Sequence, residues 1–192
     1  RMRWAVGYTL RPGSSVLESS VRIINRTPME NTMLCFANVA VHTNENYQVI
    51  FPPSTEWATG HSKRDFYKWP VVNGKDMSWY KNNTNSASWF AVNHKEDFVA
   101  GYDHGVNAGT MTIANHHIVP GKKFFTWGVG NMWDKILTDD DGPYLEIMVG
   151  AYSDNQPDYS WLQPFEERSF VINWYPFRGI DGVKNSNLDA AV

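Results

Sequence analysis

The sequence predicts an all-β fold, an antiparallel β-sandwich, on three observations. Short runs rich in β-branched and aromatic residues recur along the chain and are separated by Gly, Pro, Asn and Asp turns. No window carries sustained i, i+3, i+4, i+7 apolar spacing with caps, so no helix longer than a turn is expected. Nine Trp, nine Tyr and ten Phe make up 15% of the residues, enough large rings to fill the space between two sheets.

The elements follow in order. Ala5 to Leu10 reads as a strand that ends at the Arg11-Pro12-Gly13-Ser14 turn. Val16 to Asn25 alternates, with Leu17, Val21 and Ile23 against Glu18, Ser20 and Arg22, and Asn25-Arg26-Thr27-Pro28 turns the chain. Thr32 to His42 is more continuously apolar, the pattern of one strand buried on both faces. After Asn44-Glu45-Asn46, Tyr47 to Phe51 returns, and Pro52-Pro53 stops it because proline cannot donate to a ladder. Residues 54–86 read as a long irregular segment, the kind that is often functional. Strands are expected at Ser88 to Val92, Asp97 to Tyr102, Gly109 to Asn115 and Lys123 to Val129, with Pro120-Gly121 as the turn before the last. Asn131 to Asp141 has room for one helical turn, and Tyr144 to Ala151 and Ser169 to Tyr175 complete the sheets. About ten strands at regular turn intervals are the pattern of a sandwich. The 192 residues suit a single domain over 1–183, with 184–192 as a flexible tail.

Composition excludes several classes. With 17 basic and 20 acidic residues and no basic stripe, a nucleic-acid partner is not expected. No apolar run approaches about 18 residues, so no membrane span is expected. Cys35 is the only cysteine and reads as a buried, inert thiol. Metals and cofactors are not expected. Asp139-Asp140-Asp141-Gly142 lacks the alternation of a calcium loop, and His116-His117 would point to opposite faces of a strand. Gly128-Val129-Gly130 lacks the third glycine of a phosphate cradle.

The residues that stand out as chemistry are Glu146, the histidines and the tryptophans. Glu146 is a carboxylate inside an apolar strand-like run, where it points outward, is paired, or has a job in a pocket. A polar loop with Asp154, Asn155, Gln156, Tyr159 and Trp161 follows it. Trp57, Trp69, Trp79, Trp89, Trp133 and Trp161 sit beside polar residues, where rings serve either to pack loops or to stack on the flat C–H face of a sugar, and Trp57, Trp69, Trp79 and Trp161 are the candidate contacts among them. Trp127 and Asn38 complete the candidate sugar-contacting set. His61 lies in the Trp-rich segment after Gly60. A glycosidase would need a second carboxylate about 5–10 Å from Glu146, for which Asp65, Asp76, Asp103 and Asp154 are available.

Two resemblances sharpen this reading. The stretch from Gly142-Pro143-Tyr144-Leu145-Glu146-Ile147 through Leu162-Gln163-Pro164-Phe165-Glu166 resembles the C-terminal catalytic segment of the aldose 1-epimerase (galactose mutarotase) family. Asn25-Arg26-Thr27, Phe36 to Val41, Ile50-Phe51-Pro52, Gly60-His61, Pro120-Gly121-Lys122-Lys123, Thr126-Trp127-Gly128 and Gly142 to Glu146 run in order over most of the chain. They resemble a related bacterial family of uncharacterised domains, DUF5107. The resemblances imply a mutarotase-like supersandwich, of which this chain is a truncated portion, and an extracytoplasmic role on glycans. Arg1-Met2-Arg3-Trp4 likewise reads as a start within a longer protein. By position Glu146 corresponds to the catalytic base, and Gly101-Tyr102-Asp103-His104 is similar to the motif that holds the catalytic histidine. His61 and His104 therefore both stand as acid candidates. Asn38 is followed by Val39, so the substrate-orienting histidine of mutarotases is absent. Three functions remain in play: a carbohydrate-binding domain of a larger protein, an enzyme acting on sugars by general acid–base chemistry, and a structural sandwich packing against other domains.

Overall fold

The computed structural model describes residues 1–155 and 158–192, so Gln156 of the polar loop lies outside the described residues. Two six-stranded antiparallel sheets stack face to face. The first runs in the order β1 (Met2–Leu10), β2 (Leu17–Asn25), β16 (Glu167–Arg178), β12 (Ala108–Ile113), β11 (Phe98–Asp103) and β5 (Tyr47–Ile50). The second runs β4 (Cys35–His42), β14 (Tyr144–Ala151), β13 (Gly121–Thr126), β10 (Ala87–Val92), β6 (Trp57–Thr59) and β7 (Phe66–Lys68). Two small ladders join β15 (Ser160–Leu162) to β3 (Asn31–Met33) and β8 (Val71–Val72) to β9 (Lys75–Asp76). Among the described residues, helical structure is a single turn, α1 (Trp133–Leu137), and a 3₁₀ turn at Tyr80–Asn82.

The period of two builds the core. On β2 every second residue from Ser19 to Asn25 is buried. On β14 the inward set is Leu145, Ile147, Val149 and Ala151. These meet Val49, Val99, Phe170 and Ile172 from the facing sheet in one apolar cluster. Burial of each large side chain contributes about 1.5–3 kcal/mol. Asn25, fully buried, ends β2 by donating to the carbonyls of Met29, Leu162 and Gln163 at 2.7, 3.2 and 3.0 Å. Gly121 pairs with Gly150, and a Cβ on Gly121 would lie 2.8 Å from the backbone of Gly150.

A second cluster covers the other face of the first sheet. Phe98, Ala100, Met111, Ile113 and Tyr175 pack there under Val183 and Ile180. Residues 184–192, read from composition as a flexible tail, are drawn back on themselves. Lys184 N–H donates to the Val192 carbonyl at 2.6 Å, and the Tyr175 hydroxyl donates to the Asn187 carbonyl at 2.9 Å.

Several elements depart from the sequence reading. Thr32 to His42 is not one strand buried on both faces. It breaks at Leu34, and β4 is an edge strand whose side chains alternate between half-buried and exposed. Only β14 flanks it, so its outward residues meet solvent. The irregular segment 54–86 contains β6 to β9. β16 runs through Pro176 to Arg178, because Pro176 lies beyond the end of β2, where only β12 flanks it.

β1 is the opposite edge. Met2, Trp4, Val6, Tyr8 and Leu10 fall in register with Asn25, Ile23, Val21, Ser19 and Leu17, and so share the core-side face of the sheet. Yet Trp4, Tyr8 and Leu10 are 72%, 68% and 63% exposed, since the second sheet does not extend over them.

Candidate functional site

Directly paired residues of an antiparallel sheet project to the same face. The registers of the second sheet therefore define its outward face. One row is Asn38, Met148, Lys123 and Phe90, and the next is Ala40, Glu146, Phe125 and Ser88. The face thus collects Glu146, Asn38 and Lys123, and His61 reaches it from the turn after β6.

Glu146 is half-buried, and its Oε2 accepts a 2.7 Å hydrogen bond from Asn38 Nδ2. The carboxylate thus points outward with a partner beside it. Lys123 is almost fully buried on the adjacent strand. Its Nζ lies 3.3 Å from His61 Nε2 and 4.6 Å from the Phe90 ring centre. Burial pushes the Lys123 ammonium down to about 8, and the charge of Glu146 opposes that shift. His61 Nε2 is also 3.0 Å from Ser88 Oγ, with its ring edge-on to Phe90 at 5.1 Å. The Phe36 ring lies against Gly150, where an added Cβ would come within 2.3 Å of it.

A loop cover closes one end of this face. Thr59 Oγ1 donates to the Asp65 carbonyl at 2.7 Å, and Asn155 Nδ2 to the Gly60 carbonyl at 3.2 Å. Lys63 pairs with Asp154 at 2.9 Å and with Asp158. At the other end stands an aromatic group. Trp127 Nε1 donates to the Tyr144 hydroxyl at 3.0 Å, and the Trp127 ring packs against Phe125 at 4.9 Å and Trp133 at 5.3 Å. A shallow cavity of about 280 Å³ adjoins it, lined by Ala40, His42, Leu137 and Tyr144 among others. Two larger grooves are present, one of about 760 Å³ beside β1 and one of about 920 Å³ around Asp134, Asp139 and Gly142, and Glu146 lines none of the three.

The other sequence candidates are dispersed. His104 follows β11 in the first sheet, stacked on Trp79 at 4.9 Å and 3.0 Å from Gln48 Oε1. Trp69 packs in the interior against Phe51, Trp89 and Phe124. Trp57 shares the outward face but lies across it on β6, with Lys68 Nζ 5.0 Å from its ring centre. Trp161 is exposed on β15. Of the spare carboxylates, Asp76 caps Ser78 N–H at 3.0 Å, Asp103 accepts from Asn44 at 2.6 Å, and Asp154 is held by Lys63. Glu166 and Glu167 are ion-paired with Arg168 and Arg22, each at 2.7 Å.

Lys123, Ser88, Phe36, Phe90, Phe125 and Tyr144 stand on or beside this face and were not among the candidate site residues read from the sequence. The one available signal was the order of β13, where Gly121, Lys123 and Phe125 share a face with Glu146. The Lys122-Lys123-Phe124-Phe125 doublets hide it. Lys122, one residue earlier, points the other way and is fully buried inside the sandwich. Its Nζ lies 2.8 Å from His94 Nε2. Burial pushes Lys122 down to about 8 and, with the charge of Lys122, pushes His94 down to about 3. Asp97, which accepts from the His116 backbone N–H at 2.8 Å, offsets part of both shifts.

The match to the family model of DUF5107, a domain of unknown function, extends over residues 1–176. The chain belongs to the DUF5107 family. Its fold is shared by solved structures. A TPR-domain containing protein from Parabacteroides distasonis superposes with a TM-score of 0.80 at 24% identity, covering 94% of this chain and 31% of that one. A galactose mutarotase-like protein from Clostridium acetobutylicum gives 0.59 at 15% identity, covering 93% and 56%. A galactose mutarotase related enzyme from Lactobacillus acidophilus gives 0.59 at 12% identity, covering 95% and 64%. The DUF5107 chain therefore has the galactose mutarotase-like β-sandwich and spans less than two thirds of each of these proteins.

Proposed function

We propose that this DUF5107 domain binds a carbohydrate on the outward face of its second sheet, around Glu146, and acts on it by general acid–base chemistry. The observation that carries the reading is the pairing of two kinds of surface on that face. Asn38–Glu146 and the Lys123–His61–Ser88 group supply hydrogen-bond partners for hydroxyls. Phe125, Trp127, Tyr144 and Trp133 supply rings beside them for the apolar face of a sugar. An outward, half-buried carboxylate held by Asn38 is placed to accept the proton of an anomeric hydroxyl. The galactose mutarotase-like fold of the chain supports the same class of ligand, and such a domain would work on glycans outside the cytoplasm.

Tryptophan fluorescence titrated with a panel of mono- and oligosaccharides tests the reading, with wild type beside Glu146→Gln. Glutamine keeps an acceptor for Asn38 while removing the base. A saturable response in the wild type, with turnover of the responding sugar lost in Glu146→Gln, is the expected result. Silence toward every sugar overturns it.

A second reading rests on a different surface. The uncovered apolar row of β1, Trp4, Val6, Tyr8 and Leu10, beside a groove of about 760 Å³, is the kind of patch that packs against another part of a longer protein. The Parabacteroides distasonis structure, a TPR-domain containing protein much longer than the match, supports it. Binding of a hydrophobic dye by the isolated chain that drops in Trp4→Ser is expected on this reading, and no dye binding would remove it.

A further inference from the structure

Two contacts of His61 Nε2 bear on which of its nitrogens carries a proton. An ammonium group has three donors and no acceptor. Lys123 Nζ, 3.3 Å from His61 Nε2, can therefore only donate to it while it is protonated. The Ser88 hydroxyl, 3.0 Å from the same nitrogen, can turn its own hydrogen the same way. An Nε2 facing such a donor accepts, and an imidazole whose Nε2 accepts is neutral with its proton on Nδ1. Phe90 fixes the arrangement from below, edge-on to His61 and under the Lys123 ammonium.

We propose that Lys123 is a positioning residue that holds His61 as the Nδ1-protonated tautomer, so that the mobile proton of the Glu146 face resides on Lys123 and not on His61. The proposal rests on the reading of that face as a sugar site. It assigns His61 a fixed state, neutral with its proton on Nδ1. The charged and titratable groups around Lys123 are consistent with it. Glu146 on β14 faces it, Ser88 and Phe90 on β10 and Asn38 on β4 carry no charge, and Lys63 is held by Asp154 and Asp158 in the loop cover. As the pH rises through the Lys123 transition, the amine becomes able to accept. His61 is then free to move its proton from Nδ1 to Nε2 through solvent, with no net change in its charge.

Nitrogen-15 NMR of the histidine-labelled protein tests this without any sugar, with the His61 signals assigned by their loss in His61→Gln. At pH 7 the wild type should show Nε2 unprotonated and the proton on Nδ1, and the balance should shift toward Nε2–H as pH passes about 8. Lys123→Arg, whose guanidinium does not titrate, should keep the Nδ1–H tautomer up to pH 10. Lys123→Met should show mainly Nε2–H already at pH 7. A wild-type His61 carrying its proton on Nε2 at pH 7, or a tautomer that Lys123→Met leaves unchanged, overturns the proposal. If circular dichroism shows Lys123→Met to be unfolded, the wild-type pH series and Lys123→Arg decide alone. Fluorescence titration of the same samples keeps the two readings apart. The expected tautomer with no response to any sugar removes the sugar site only, and a sugar response with the wrong tautomer removes this proposal only.

Discussion

Replacing Lys122 by Met removes one charge from the interior of the sandwich and keeps most of the side chain's volume. Lys122 is pushed from 10.5 to about 8 by burial. At about 1.36 kcal/mol per pH unit, the ammonium costs the folded protein about 3 kcal/mol at pH 7. The variant also takes away the donor that faces His94 Nε2, and an orphaned buried acceptor costs about 1–2 kcal/mol. Lys122→Met should therefore be about 1–2 kcal/mol more stable than wild type at pH 7. The sign then changes with pH. Between pH 8 and 10.5 the unfolded chain holds the Lys122 proton and the folded protein does not, so the stability of the wild type rises with pH in that window. The variant lacks this contribution, while Lys123 contributes alike to both proteins. The difference should shrink above pH 8 and reverse by about pH 10.5, leaving wild type ahead by about 1–2 kcal/mol, the cost of the lost bond. Urea unfolding followed by tryptophan fluorescence from pH 6.5 to 10.5 measures it. A variant that is destabilised at pH 7 by an amount that does not vary with pH would refute the reasoning, because it would mean that the ammonium is fully compensated where it sits.

Two further outcomes follow from the same interior and from the sheet face. His94 is depressed from 6.5 to about 3, so the unfolded chain takes up a proton that the folded one refuses. Stability should fall as pH drops from 6.5 toward 3, by at most about 4–5 kcal/mol from this group, and His94→Gln should flatten that acid limb in the same urea assay. Gly150→Ala places a methyl within 2.3 Å of the Phe36 ring. It should cost about 1–3 kcal/mol and move Phe36, read as a lower thermal midpoint with a changed near-ultraviolet aromatic signal. An unchanged midpoint would mean that the ring swings away freely.

Most of the strand pattern was legible because it rests on local alternation and on Gly, Pro and Asn punctuation. β2 and β14 show this plainly, and so does the single turn at α1. The position of a strand within its sheet was not legible. The apolar run from Thr32 to His42 looked like a central strand, yet β4 lies at an edge, because exposure depends on which strands arrive from far along the chain. The candidate site divides the same way. Glu146 stood out as a carboxylate among apolar residues, and Gly60-His61 by resemblance. What brings His61 beside Lys123 is the pairing of β13 with β10 and of β10 with β6, which no local spacing encodes. His104 and Trp79 looked equivalent to His61 and Trp57 in sequence, and only the topology separates them between two sheets.

The close approach of Gly121 to Gly150 has a consequence for how β13 finds its partner. The strand reads Gly-Lys-Lys-Phe-Phe-Thr, so a shift by one residue puts lysine for lysine at position 122 and phenylalanine for phenylalanine at position 124, both on the inward face. On that face polarity does not tell the two alignments apart at these positions. The glycine does, because a slip would drive the Lys122 side chain into the space that admits no Cβ, against the backbone of Gly150 and the carbonyl of Ser153. One missing methyl thus acts as a proofreading step in assembly, deciding which of two adjacent lysines is sealed inside the protein and which faces Glu146.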